Sequence, residues 1–456
     1  MADKIEKKIA ELVSQKGGRV FYVGGYVRDI LLGIENKDVD VEVHGITPEN
    51  LLSLLKEVGE PISYGTSFGI YSLKGYDIDI ALPRKEHATG RGHRDFEVFV
   101  DPFIGTTEAA RRRDFTINSL MQDVLTGEII DAFGGENDLK NKVIKHIDAA
   151  SFIEDPLRVL RAAQFASRFE FTVDGSTINL CQDIDISTLS RERIEEELKK
   201  ALLKGKKPSI FFETLRKMHQ LSVWFPELEQ LIGLKQDIKF HPEGDVWTHT
   251  MEVVDRAASY RNEVSDAYSF MLLSLTHDFG KIITTEEIDR RIHAYGHEIL
   301  GLPIIEEFLN RIVSETAVKE YVLNMAPLHM KPNMLSYSKS AVKKTNKLFD
   351  EAIAPKDIIY FSMCDKPVFS GDDPFTGDSE FLFNRLNEFE AIMAKPYVTG
   401  QDLIDAGLKP GEYFSDILAY AHKLRLAGID KENALTQTLS YARKVIKGEN
   451  TCNKKN

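Results

Sequence analysis

Residues Gly24–Asp40 read GGYVRDILLGIENKDVD, and the fold turns on how this stretch is read. A strand-like run, Val20–Val23, leads into Gly24-Gly25. Paired glycines at a strand-to-helix turn let the backbone approach a ligand closely, because no Cβ intervenes. The helix that follows offers its N-terminal amides to an anion such as a triphosphate. Beyond it, Asp38-Val39-Asp40-Val41-Glu42-Val43 alternates with period two. That is the pattern of a strand with acids on one face and valines on the other. Two carboxylates two residues apart, beside a phosphate-cradling turn, make a two-point site for Mg²⁺. Taken alone, Asp38 and Asp40 would also suit an edge strand with a solvated acidic face; the GG-x-V-R-D just upstream favours the metal.

GG-x-V-R-D followed by D-x-D resembles the nucleotidyltransferases of the polymerase-beta superfamily, specifically the class II bacterial tRNA CCA-adding enzymes and poly(A) polymerases. The resemblance implies an α+β fold, with a mixed-sheet head followed by an all-α neck, body and tail. It implies Mg²⁺ on Asp38 and Asp40, and nucleotide contacts from Gly24, Gly25 and Arg28. A hairpin is expected from Phe68–Leu73, a Lys74-Gly75 turn and Tyr76–Ala81. Its second strand would place Asp77 and Asp79 on one face. The family expects an acid on a neighbouring strand, which makes Asp79 the third catalytic carboxylate, while Asp77 suits a polar outer face equally. Pro83–Asp95, PRKEHATGRGHRD, is basic and poor in apolar residues, so a mobile loop beside the active site is expected. In the family such a loop helps the change from adding C to adding A.

Arg112-Arg113-Asp114-Phe115-Thr116-Ile117-Asn118 matches the family motif RRDFTIN throughout. Two guanidiniums suit triphosphate oxygens through forked hydrogen bonds. Asp114 and Asn118 can hold a ribose hydroxyl. The glycine pair in Asp131–Leu139 is, by resemblance, the hinge between head and neck. In Glu154-Asp155-Pro156-Leu157-Arg158, proline suits a first helical turn, so Asp155 and Arg158 stand one turn apart. Locally this is an ordinary i,i+3 ion pair; by resemblance it is the EDxxR motif that selects the base, with Arg161 beside it. A carboxylate and a guanidinium match the amino donor and ring acceptor shared by cytosine and adenine, so that the protein replaces a template. Gln164 departs from the arginine frequent in relatives. Glu192–Leu198 resembles the next motif, ER-I-x-x-EL, a brace for the neck.

The C-terminal half holds a second constellation: His249 in a helical pattern, then His277-Asp278-Phe279-Gly280-Lys281, His297, His329 and Asp365. The order H…HD…D with the trailing GK resembles the HD phosphohydrolases. The resemblance implies that His249, His277, Asp278 and Asp365 ligate a metal, with His297 and His329 as further candidates. Imidazole and carboxylate donors suit Mn²⁺, Ni²⁺, Co²⁺ or Fe²⁺ and do not choose among them. Leu408-Lys409-Pro410-Gly411 marks a turn in a helical tail that the family uses to hold RNA.

The chain of 456 residues, 43% apolar and 28% charged, is expected to form several globular domains. Boundaries are read as head 1–133, neck and body 134–235, HD domain 236–370 and tail 371–456. A net charge of −13 argues against indiscriminate RNA binding without excluding RNA as a partner. Basic residues nonetheless gather at Arg111–Arg113, Lys199–Lys207 and Lys331–Lys347, enough for one specific tRNA stripe. Three scattered cysteines, a charged N-terminal helix pattern and no long apolar run indicate a cytoplasmic protein without a membrane span. The expected partners are tRNA, CTP and ATP. Poly(A) polymerase, CC-only or A-only activity remains open, as, more distantly, does a protein-modifying uridylyltransferase.

Overall fold

A computed structural model describes residues 5–63, 69–88, 96–239, 241–366 and 378–446. The chain divides after Pro226 into two compact units. The first is built on a mixed sheet. Its strands are β1 (Arg19–Val23), β2 (Val39–His44), β3 (Pro61–Ser63), β4 (Ile70–Leu73), β5 (Ile78–Ala81), β8 (Met121–Asp123) and β9 (Ile129–Ile130). Their order is β3-β4-β5-β2-β1-β8-β9, and only the β2–β5 pairing is parallel.

One sheet face is covered by α1 (Ile5–Gln15) and α3 (Pro48–Val58), which bury Ile9, Val13, Leu51, Leu54 and Leu55 against Val20, Val41, Val43 and Ile80. The α3 start is as expected, with proline at its first position and Thr47 Oγ1 accepting from the Asn50 amide at 3.4 Å. On the other face Phe21, Val23 and Met121 meet Ala109 and Ala110. Because Val20 pairs with Val43 and Phe21 with Glu42, the valines of β2 turn into the first core and its acids turn to the second face.

Two expectations need correcting. The β4–β5 hairpin forms, but its second strand starts at Ile78, so Asp77 lies outside it and shares no strand face with Asp79. The expected loop after Pro83 is partly a ribbon, with β6 (Arg84–Ala88) paired antiparallel to β7 (Phe96–Val100). The aromatic and β-branched sequence FEVFV is a strong strand former, and main-chain pairing recruits the polar stretch opposite it. The remainder of that loop, and Phe68, lie outside the described residues.

From Gly135 the first unit is mainly helical, with the helices Leu157–Phe169, Arg191–Lys204 and Ser209–Lys217 dominant. The glycine pair is tied locally to Asp131. Gly134 takes a left-handed conformation (φ 78°), and the Asp131 carboxylate accepts from the Gly135 and Glu136 amides at 2.8 and 3.0 Å. Among its described residues, the second unit has helices and one small hairpin, Glu286–Ile288/Arg291–His293. The helix Val246–Ala257 is capped by Asp245 and the helix Ala267–Thr276, buried from Tyr268 onward, by Asp266. Leu408–Gly411 does lie between helices, Gly400–Asp405 and Phe414–Leu426, which share a core with Lys431–Ile446. Among the described residues, no helix is long and apolar enough to cross a membrane.

Candidate functional site

Parallel pairing of β2 with β5 sets Asp40 directly beside Asp79, on the sheet face shared by Glu42. Asp38 stands exposed just before β2, its amide bonded to Asn36 Oδ1 at 3.0 Å. The three acids expected from the sequence are therefore gathered at the entrance of two adjacent strands. Burial and the neighbouring charge of Asp79 push the Asp40 carboxyl up to about 6, against the pull of Arg113. Like charges lie side by side here with too little compensation from the protein.

Glu42, which the sequence reading passed over, anchors the basic wall opposite. It is 1% exposed, lies 3.3 Å from Arg112 Nη2 and 3.7 Å from Arg113 Nη2, and bonds to His44 at 2.9 Å. Burial alone would raise its carboxyl; the His44 bond and the two arginine charges outweigh burial and bring it down to about 2. Gly24 adopts φ 64°, and a Cβ there would stand 2.7 Å from Arg113 Nη1. The glycine is needed both for its conformation and for the arginine to reach the turn.

Arg28 lines the same cleft as Gly24 and Gly25, yet it is almost wholly buried. Its Nε and Nη2 donate to Asp29 Oδ1 and its Nη1 to Asn118 Oδ1 at 2.6 Å, while its guanidinium lies over Phe165 and Phe169 at 5.1 and 4.8 Å. Asn118 in turn donates to Asp114 Oδ1 at 2.9 Å, and Arg161 pairs with Asp114 Oδ2 at 2.6 Å. Burial raises the Asp114 carboxyl, but Arg161 and the Asn118 bond more than offset this and hold it below the usual range. The expected ribose-binding pair is thus already joined into one chain of charge and amide contacts.

Asp155 and Arg158 do not form the local ion pair. Asp155 accepts from the Leu157 amide at 3.1 Å and is gripped by Arg193 Nη2 at 3.0 and 3.2 Å. Arg158 donates to the Ser151 carbonyl at 2.6 Å and the Arg112 carbonyl at 2.8 Å. Both side chains line a cleft of about 510 Å³ with Gly24, Gly25, Arg112, Arg113 and Asp114. Four further cations line it: Arg84 and Arg168, which the sequence reading did not select, and Lys200 and Lys204 from the basic run Lys199–Lys207. A signal for three of them was present. Arg158, Arg161 and Arg168 recur at helical spacing on Leu157–Phe169, as do Arg193, Lys200 and Lys204 on Arg191–Lys204.

The second unit gathers all six residues of the other constellation. His249 Nε2 lies 3.0 Å from Asp365 Oδ1 and 3.7 Å from Asp278 Oδ2. His277 Nε2 is 3.4 and 3.2 Å from the same two oxygens. His297 Nε2 is 3.3 Å from Asp278 Oδ1 and 3.2 Å from His329 Nε2. Three of the rings point their Nδ1 at a main-chain carbonyl three residues earlier, in Ser274, Ala294 and Ala326, and so present Nε2 inward. Burial would lower the His277 imidazole, but Asp278 and Asp365 overcome it and push it up to about 10; His329 is driven down to about 4 chiefly by burial. His277 Nε2 and Asp278 Oδ2, though close, remain buried without an aligned hydrogen bond. Converging, dehydrated imidazole and carboxylate donors of this kind fit a divalent transition cation.

Two glycines hold the cluster closed. A Cβ on Gly280 would run into the His297 carbonyl, and one on Gly301 would stand 2.6 Å from the Gly280 Cα. Gly280 has ordinary helical φ, so the constraint is contact and not conformation. Gly280→Ala is expected to cost about 1–3 kcal/mol by overpacking and to displace His297. Thermal unfolding and bound Co²⁺ per chain check this; wild-type values for both would show that the backbone has room.

The description "Poly A polymerase head domain" matches residues 20–145, and "Probable RNA and SrmB- binding site of polymerase A" matches 171–232. The chain is 36% identical over 318 residues to the multifunctional CCA protein of Actinobacillus pleuropneumoniae serotype 5b (strain L20), covering 68% of this chain and 75% of the relative. It is 38% identical over 312 residues to that of Pasteurella multocida (strain Pm70), covering 66% and 72%. Among solved structures, the Thermotoga maritima CCA-adding enzyme complexed with tRNA shares the fold at TM-score 0.63 and 22% identity, over 95% of this chain and 94% of the other. The Bacillus stearothermophilus CCA-adding enzyme in complex with CTP does so at 0.67 and 18%, over 98% and 100%. The chain belongs to the multifunctional CCA protein family, with a poly(A) polymerase head domain at its sheet-built end.

Proposed function

We propose that the first unit adds CMP and AMP to the 3′ end of tRNA without a nucleic-acid template. The observation that carries this is the single cleft in which Gly24-Gly25, the Arg112-Arg113 wall and the Asp155/Arg158 pair meet, beside the adjacent acids Asp40 and Asp79. The uncompensated repulsion at Asp40 fits a cation, and Asp38 and Asp40, with Asp79, would hold Mg²⁺. Bound there, Mg²⁺ eases ionisation of the tRNA 3′-hydroxyl and neutralises the departing pyrophosphate. Arg112 and Arg113 orient the triphosphate, and Gly24 leaves the space for them. Asp155 accepts the exocyclic amino group of cytosine or adenine and Arg158 donates to the ring acceptor, each held in place by its contacts to Arg193, Ser151 and Arg112. Lys200, Lys204 and Arg168 extend the basic wall for RNA phosphates. Incubating the protein with tRNA ending at the discriminator base, with each NTP singly and in pairs, tests the reading. Addition of only C or only A, or long A runs, would replace it by the corresponding partial or poly(A) activity.

Arg158→Ala should relax discrimination against UTP and GTP by about 10- to 100-fold, the range for one lost hydrogen-bonding partner, with a smaller fall in total incorporation. Nearest-neighbour analysis of the extended tRNA measures it. Strict retention of C and A in the variant would move base selection elsewhere.

For the second unit we infer a metal-dependent phosphohydrolase site of the HD type. His249, His277, Asp278 and Asp365 would hold the cation, with His297 and His329 completing the set. A divalent transition ion there supplies Lewis-acid activation of a phosphate ester or 2′,3′-cyclic phosphate. Such a reaction beside a 3′-end polymerase would clear RNA ends that cannot accept CMP. The reading places the protein in the cytoplasm, in keeping with Cys181 and Cys364, which are buried free thiols.

A further inference from the structure

One carboxylate beside the histidine–aspartate cluster has no part in the reading above. Glu243 precedes Gly244 (φ 107°) and Asp245, whose two oxygens hold the loop by accepting from the Thr248 amide at 2.9 Å and the Gly233 amide at 2.7 Å. From this fixed loop Glu243 Oε1 reaches His249 Nδ1 at 2.7 Å and His241 Nδ1 at 2.9 Å. His249 is wholly buried, whereas His241 is partly exposed at the rim.

His249 differs from the other three rings in how it is held. They use the carbonyl three residues back, but for His249 that residue is Val246, whose carbonyl already takes the Thr250 hydroxyl at 2.8 Å. Its Nδ1 turns instead to a full negative charge. A carboxylate accepting from Nδ1–H fixes the tautomer, leaves the lone pair on Nε2, and makes that nitrogen a better donor than a carbonyl partner would. Nε2 is the atom facing Asp365 and Asp278.

We propose that Glu243 is a positioning residue that sets how tightly the cluster holds a divalent cation, by orienting and polarising the His249 imidazole. This rests on reading the cluster as a metal centre. Treating His241, Glu243 and His249 as a separate cation site fits the chemistry less well. It would use both nitrogens of His249 as donors and leave the ring without its proton.

The test is Co²⁺ binding by the full-length, metal-stripped protein, followed by visible absorption and by competition with a chelating dye. Glu243→Ala should weaken binding about 10- to 100-fold with unchanged stoichiometry, as expected for loss of an outer carboxylate on a ligating histidine. Glu243→Gln keeps an acceptor for Nδ1–H but lacks the charge, so it should fall between; it also decides the matter should the alanine variant unfold. His241→Ala should stay near wild type. Wild-type affinity in both Glu243 variants overturns the proposal alone. A drop from two ions to one, with the remaining affinity unchanged, overturns it in favour of a separate site. No Co²⁺ on the wild-type protein overturns the metal-centre reading and this proposal with it.

Discussion

Asp40→Ala should slow CMP addition by on the order of a thousandfold or more, because metal charge stabilisation is worth several kcal/mol and each 1.4 kcal/mol is about tenfold. The same position should reveal a second effect, on stability. The folded Asp40 carboxyl sits near 6, above its ordinary value of 3.8, chiefly through burial and then through Asp79. A raised carboxyl binds its proton more tightly when folded. Its ionised form therefore destabilises the fold increasingly as pH climbs from about 3.8 to about 6, and fully above that. Replacing it by the neutral isostere, Asp40→Asn, should leave the melting temperature unchanged or higher at pH 7.5 and give no gain at pH 4. Activity lost while stability is kept marks a residue retained for chemistry. Near-wild-type CMP addition by folded Asp40→Ala, or a marked fall in melting temperature for Asp40→Asn at pH 7.5, would refute the assignment.

Asp278→Ala should abolish hydrolysis of p-nitrophenyl phosphate and 2′,3′-cyclic AMP in Mn²⁺, Ni²⁺ or Co²⁺ by at least about a hundredfold, since a centre without this ligand loses its Lewis acid. Asp278 is fully buried and faces His249, His277, His297 and the Lys281 ammonium, 2.7 Å away. No other carboxylate in the cluster has as many imidazole neighbours. Asp278→Asn keeps the volume and guards against misfolding. CMP addition should persist in both variants, and Asp40→Ala should show the converse. Joint loss of both activities in one variant would mean that the two sites are not independent. A wild-type protein that hydrolyses neither substrate would leave the cluster as a scaffold.

The acids of β2 were legible because period-two alternation is a local signal and their strand is half-buried. The histidine–aspartate order was legible because metal ligands are chemically rare. The Asp155 partnership was not, since a helix spacing of three invites a pairing that only the later Arg193 removes. The burial of Arg28 was not legible for a similar reason: it depends on Phe165 and Phe169, more than 130 residues on. Lys200 and Lys204 were legible only as members of the basic run Lys199–Lys207, since a run of like charges does not show which of them face a cleft. Asp77 was placed on a strand because the alternation continues past the point where pairing with β4 ends.

The committed guanidinium of Arg28 bears on how substrates enter and leave. It sits on the helix after the glycine turn, yet its two aromatic faces come from the helix that carries Arg158 and starts just after Asp155. Arg168 reaches back from that helix to Asp29 at 3.5 Å. Parting the two helices would strip the ring contacts and stretch that ion pair. At up to about 2 kcal/mol for each of the two desolvated cation–π contacts, up to about 4 kcal/mol in all, the parted form would be as scarce as about one molecule in a thousand. Nucleotide exchange by wide gaping at this seam would have to pass through that scarce population. Passage along the open mouth of a standing cleft would not, so turnover should be insensitive to a covalent tether across the seam.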